Sequence, residues 1–164
     1  MEILRFQNDI SIIKLDKTLK RSNSIDWIPV SPRLPCPHET VFLGGWGMVV
    51  KGLQATSLQE AILYISEVCP KESSGTICAR GGKLTSACPG DSGAGLVRLN
   101  QGRPELIGIV SHGSSSCFQG HLVAFTGVHQ FINWIQYIIQ HYENNDFLTW
   151  IISGVACLLD SDLV

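Results

Sequence analysis

As far as Val128, the apolar residues of this chain come in short runs separated by glycine-rich turns, which restricts most of it to strands. Ile10, Ile12 and Ile13, with Ser11 between them, predict a buried strand. Val41-Phe42-Leu43 and Met48-Val49-Val50 flank Gly44-Gly45-Trp46-Gly47 and predict strands meeting at a tight bend. Residues 58–66 mix helix and strand signals. Gly95-Leu96-Val97-Arg98-Leu99 and Leu106-Ile107-Gly108-Ile109-Val110 read as a hairpin across residues 100–104, and residues 123–128 as the last strand. Beyond that point the period changes. Val128, Phe131, Ile132, Ile135, Ile138, Ile139 and Tyr142 fall on one face of a helix. Short strands, glycine turns and one terminal helix suit an all-β barrel.

One loop within that pattern carries chemistry: Cys88-Pro89-Gly90-Asp91-Ser92-Gly93-Ala94-Gly95. A serine hydroxyl attacks only when a base takes its proton and amide donors stabilise the resulting oxyanion. Gly90 and Gly93 leave the backbone free to curl until its N–H groups converge on one point. Taken alone, the stretch reads equally as a Gly-Ser surface turn.

Its surroundings resemble the trypsin/chymotrypsin-like serine peptidases. G-D-S-G after Cys88 is similar to that family's nucleophile loop. Asn8-Asp9-Ile10, leading into Ser11-Ile12-Ile13-Lys14-Leu15, resembles the strand that carries the triad aspartate. Gly44-Gly45-Trp46-Gly47 is similar to S-G-W-G, Ser111-His112-Gly113 to S-W-G, and Phe125-Thr126-Gly127-Val128 to Y-T-x-V. Phe131-Ile132-Asn133-Trp134-Ile135 resembles the family's C-terminal helix. The resemblance runs from about Asn8 to about Gln140. It implies a chymotrypsin-like double β-barrel, here mainly the second barrel, the last of the first and the helix. The chain then divides into a partial peptidase domain, 1–142, and a tail, 143–164. The resemblance also implies roles: Ser92 as nucleophile, Asp9 as the acid that orients the base, and the amides of Gly90 and Ser92 as oxyanion donors. Asp91 would pair with the amine freed on activation. The acyl-enzyme mechanism is that of the family itself and comes with the resemblance.

The family's triad runs His, Asp, Ser, and the T-A-A-H-C segment bearing the base lies well upstream of the aspartate. Only eight residues precede Asp9, and none of His38, His112, His121, His129 and His141 sits in such a segment. His112 stands where the family usually has Trp beside the substrate cleft, a strand position and not that of the base. Met1-Glu2-Ile3 does not match the Ile or Val terminus of an activated peptidase. The chain is therefore expected to be the second half of a peptidase domain, unable to hydrolyse peptides alone. Loss of one triad member costs about four to six orders of magnitude in turnover. The face that should meet the first barrel is expected to be bare and apolar.

A hydrophobic content of 45% is enough for one domain with a core, and a net charge of −2 gives no sign of nucleic-acid binding. Lys14, Lys17, Lys20 and Arg21 read as a solvated strand end and turn. Six cysteines need an explanation. The resemblance implies the bridges Cys69–Cys78 and Cys88–Cys117, each contributing about 2–4 kcal/mol. Cys36 is then left to pair with the missing half, and Cys157 lies beyond the match. Zinc is the competing reading, but no C-x-x-C or H-x-x-x-H spacing supports it, and neither a metal nor a cofactor is expected. Disulfides imply an oxidising, extracellular location, yet Met1-Glu2-Ile3-Leu4-Arg5 is no signal peptide. A start lying upstream resolves that conflict; a shortened product retained in the cell is the alternative.

Aligned by resemblance, Ser86, Ser111, His112, Gly113 and Val123 line the substrate pocket. Ser86 stands where trypsins carry an aspartate for Arg or Lys, and serine offers a buried cation no partner. Gly113 keeps one wall open and Val123 fills the base, which predicts a shallow apolar pocket for Ala, Val or similar side chains. A pocket occluded in a non-enzyme is the competing expectation. Residues 147–159 form an apolar run, short of the roughly 20 residues of a membrane span and followed by Asp160 and Asp162. A tail packed on the domain, or out-of-frame sequence, is favoured over an anchor. Three functions follow: a serine endopeptidase acting on polypeptides, a non-catalytic homologue binding a protein partner, or a truncated by-product.

Overall fold

The computed structural model describes residues 7–17, 19–50, 52–69, 74–83, 85–114, 120–142, 150–152 and 155–157. In chain order the strands are β1 (Ile12–Lys14), β2 (Thr40–Gly45), β3 (Met48–Val50), β4 (Leu53–Gln54), β5 (Gln59–Ile65), β6 (Thr76–Arg80), β7 (Gly95–Asn100), β8 (Arg103–His112) and β9 (Val123–Gly127). A single turn of 3-10 helix, Val128–Phe131, leads into α1 (Ile132–Tyr142), and two short strands follow, β10 (Trp150–Ile152) and β11 (Val155–Cys157). Six of these strands close an antiparallel barrel in the order β2-β5-β6-β9-β8-β7. This is the all-β, chymotrypsin-like architecture that the sequence implies.

Alternation builds the barrel wall. Val41 and Leu43 on β2, and Leu63 and Ile65 on β5, turn inward, while Phe42, Ile62 and Tyr64 between them do not. Phe125 on β9 is fully buried among them. The mixed signal of residues 58–66 resolves as strand because β5 pairs with β2 along its length, from Gln59↔Gly45 to Tyr64↔Thr40. Closure is narrower. Strand β2 meets β7 only at Phe42↔Val97 and Leu43↔Leu96, and β5 meets β6 only at Tyr64↔Arg80 and Ile65↔Ala79. The barrel is thus two well-paired blocks joined along two short seams.

The expected hairpin is tighter than its sequence suggests. Gln101 and Gly102 alone form the turn, with φ of 51° and 80°, and Pro104 already pairs with Leu99. Positive φ at both central residues is the type I′ geometry, whose twist matches that of the flanking strands. The bend at Gly44–Gly47 departs from expectation in another way. Strands β2 and β3 flank it without pairing, because β3 turns away to form a two-stranded ribbon with β4.

A second apolar cluster lies outside the barrel. Leu106 and Ile109 of β8 pack with Val128 and Ile135, and Ile10, Ile12, Ile28 and Val30 close over them. Residues 10–30 therefore cover part of the face expected to be bare. The predicted buried strand is corrected at Ile13, which is 51% exposed: only alternate residues, Ile10 and Ile12, reach the cluster. Strand β1 also pairs with β10, and β10 with β11, by antiparallel backbone bonds. Within the apolar tail, residues 147–149, 153, 154, 158 and 159 lie outside the described residues. Among the described residues no helix is long and apolar enough to cross a membrane.

Arg98, on β7, is buried where an alternating strand exposed to water would place a solvated charge. Its Nε donates to Glu105 Oε2 at 3.0 Å, and its terminal nitrogens reach Ser31 Oγ, the Arg33 carbonyl and, at 3.7 Å, Glu39 Oε1. Asn100 Nδ2 donates to the other Glu105 oxygen at 2.7 Å. Burial pushes the Glu105 carboxyl up, but the hydrogen bonds from Asn100, Ser31 and Arg98 and the Arg98 charge outweigh it and hold the group below the ordinary glutamate range. The cluster clamps residues 31–39 to the β7–β8 hairpin. A parallel bridge from Val30 to Leu106 adds to it.

Candidate active site

The loop before β7 is folded by its own backbone. Asp91 N–H donates to the Cys88 carbonyl and Ala94 N–H to the Asp91 carbonyl, each at 2.9 Å, and Gly93 N–H donates to the Val110 carbonyl of β8 at 2.9 Å. Gly90 and Gly93 adopt φ of 100° and 86°, values that residues with a Cβ avoid. The amides of Gly90 and Ser92 do not belong to this inward set, and Ser92 lies exposed at the loop surface.

The Asp91 carboxylate faces the other way. Its Oδ1 accepts from Gly47 N–H at 2.7 Å and its Oδ2 from Cys88 N–H at 2.9 Å. A Cβ at Gly45 or Gly47 would fall on that carboxylate, which explains the paired glycines around Trp46. Within the described residues, backbone amides hold Asp91, in the place where the resemblance implies a terminal amine.

Asp9 is exposed and is held by two contacts. Its Oδ2 accepts from Ser111 Oγ at 2.6 Å, and its carbonyl accepts from Thr126 Oγ1 at 2.9 Å. Ser111 sits at a bulge in β8: Val110 pairs with Phe125 and His112 with Ala124, so the register shifts across Ser111. In a regular strand Ser111 and His112 would face opposite sides of the sheet; a bulge re-aims one of them. Both line a cleft of about 310 Å³ together with Ser92, Gly113 and Val123. The Ser111 hydroxyl also lies 3.1 Å from His112 Nδ1.

The structure therefore brings Ser92, Ser111, His112, Gly113 and Val123 to one cleft and links Asp9 to it through Ser111. Val123 is buried, and its methyl groups lie beside the open position at Gly113. Ser86 is placed differently: it lines a neighbouring cavity of about 220 Å³ with Thr85, Gly47 and Asp91. The Cys69–Cys78 bridge is formed, with a Cα–Cα separation of 5.3 Å. Cys117 lies outside the described residues, so the Cys88–Cys117 pairing does too. Cys36 is exposed. No group of three or more metal-ligating side chains occurs among the described residues. Neither the bulge at Ser111 nor the acceptance of the Gly47 amide by Asp91 had been read from the sequence; the Gly-Gly-Trp-Gly run was the available signal for the second.

A six-stranded barrel with a G-D-S-G loop facing a bulged strand defines the second barrel of a serine peptidase of the chymotrypsin type. The chain belongs to the trypsin family, whose sequence model matches residues 2–135. It is similar to human (Homo sapiens) kallikrein-4, with 31% identity over 142 residues that cover 81% of this chain and 54% of the relative. Chymotrypsin-C of Rattus norvegicus is 35% identical over 148 residues, covering 81% and 55%. Transmembrane protease serine 11G of the same species is 33% identical over 148 residues, covering 80% and 35%. The chain spans about half the length of kallikrein-4 and chymotrypsin-C.

Proposed function

We propose that this chain carries the nucleophile half of a serine endopeptidase centre, acting on polypeptides once a histidine-bearing half completes it. The observation that carries this reading is the link from Asp9 through Ser111 to the cleft that holds Ser92. In the completed site a histidine held by Asp9 takes the Ser92 proton, and Oγ attacks the scissile carbonyl carbon. The amides of Gly90 and Ser92 stabilise the oxyanion. The histidine returns the proton to the leaving amine, and water then hydrolyses the acyl-enzyme. Val123 beside Gly113 favours Ala- or Val-sized side chains in the pocket. The Cys69–Cys78 bridge favours an extracellular site of action.

These 164 residues contain no histidine in a T-A-A-H-C setting, so a polypeptide of this sequence alone is inactive. Treatment of the purified chain with a fluorophosphonate checks this. Negligible labelling is expected; rapid stoichiometric labelling, lost in Ser92→Ala, refutes it. A second reading, a non-catalytic homologue whose cleft binds a protein partner, draws on His112 at the cleft. Transcript sequence upstream of Met1 separates the two: an in-frame T-A-A-H-C segment supports the enzyme, and a stop codon followed by a genuine start supports the binding module.

A further inference from the structure

Asp9, Ser111 and His112 form one hydrogen-bonded chain, and its proton count is constrained. Ser111 has a single proton and gives it to Asp9 at 2.6 Å, within the short range of charge-assisted O–H···O⁻ bonds. Toward His112 Nδ1, 3.1 Å away, the serine oxygen then has only lone pairs to offer. The proton in that contact must come from the ring, so neutral His112 is the Nδ1–H tautomer and its basic nitrogen is Nε2. Protonation adds a donor at Nε2 without breaking either bond of the chain. The bulge at Ser111 is what lets two consecutive side chains share both this contact and the cleft.

The charges around the ring are few. Among the described residues lining the cleft there is no Asp, Glu, Lys or Arg. Strand β9 brings the apolar Val123 and Ala124, and the nucleophile loop brings Ser92, Pro89 and Cys88. The Asp91 carboxylate is turned to Gly47 and Cys88, and Asp9 lies beyond Ser111. We propose that His112 is a specificity-determining residue: held by the Asp9–Ser111 relay, its protonated ring selects a polypeptide carrying an Asp or Glu side chain where it crosses β8. This rests on the reading that the cleft takes a polypeptide.

Two measurements on the full ¹⁵N-labelled chain test it. The imidazole nitrogen shifts report the tautomer directly. Nδ1–H is expected in the parent and in Ser111→Thr, with the preference lost in Ser111→Ala. An Nε2–H ring in the parent, or no change in Ser111→Ala, overturns the relay. Two blocked hexapeptides, identical but for Asp in place of Asn, are then titrated at about pH 5 and about pH 8, either side of ordinary imidazole titration. The Asp peptide is expected to bind about fivefold more tightly than the Asn peptide at the lower pH. That preference should vanish at the higher pH and in His112→Phe. Equal binding at the lower pH overturns the role of His112. If neither peptide perturbs the cleft amides while the tautomer is as expected, it is the polypeptide reading that has failed.

Discussion

The two carboxylates that flank the nucleophile are held in opposite ways. Asp91 is buried and accepts one backbone amide on each oxygen, against glycines that admit nothing larger. Asp9 is exposed and depends on two hydroxyl groups, those of Ser111 and Thr126. The serine side of the site is thus built into the barrel. The acid side is carried by a crossing segment that reaches the barrel through a small apolar cluster and the Arg98 clamp. A site divided in this way can keep its loop geometry while its acid is displaced.

The contrast is most severely tested at the clamp. Arg98→Met leaves the Glu105 carboxylate without its cation, and global stability should fall by about 3 kcal/mol in denaturant titration. The double variant with Glu105→Leu should be less unstable than Arg98→Met alone, and amide exchange in residues 9–31 should rise before that of the barrel. Asp91→Asn comes next. Its amide group meets one of the two donors with an N–H, and a loss of about 2 kcal/mol is expected. Asp9→Asn should cost less than about 1 kcal/mol, since its partners remain open to water. A larger loss would erase the contrast.

Much of this was legible in the chain because local patterns agreed with the global fold. Val41, Leu43 and Leu63 alternate with polar or exposed neighbours, and the helical spacing after Val128 places Val128 and Ile135 in the core. Gly90 and Gly93 marked a curled loop before any distance was known. What could not be read depends on neighbours distant in sequence. Ile13 is as apolar as Ile12 and becomes exposed only because the cluster faces one side of β1. Arg98 is inside because Glu105, Ser31 and Glu39 converge on it from other segments. Ser86 was assigned by alignment to a pocket it does not line, because counting residues back from Ser92 carries no information about which wall a loop residue faces.

The smallest expected effects are those of pH. Burial lowers the proton affinity of His129, whose Nδ1 is buried without a hydrogen-bond partner among the described residues. A histidine that resists protonation when folded contributes stability above its unfolded value of about 6.5 and loses it as pH falls through the lower folded value. Glu105, held below the glutamate range, contributes above about pH 4.3 and loses its share as pH falls further. Midpoints of urea unfolding measured across acid pH should decline in two stages, and His129→Gln should flatten the first alone. A single decline below pH 4 would remove His129 from this account.

The narrow seam between β2 and β7 lies beside the nucleophile loop, since β2 ends at Gly45 and β7 begins at Gly95. Two bonds cross just past its end: Gly47 N–H to Asp91 Oδ1, and Met48 N–H to the Pro89 carbonyl. They act as a clasp on a zip whose last teeth are missing. Mechanical load on the barrel would reach the Ser92 loop before it parted the wider β2–β5 pairing, so any event that unfastens Asp91 also loosens the wall of the barrel, and any strain in the wall is felt first at the serine.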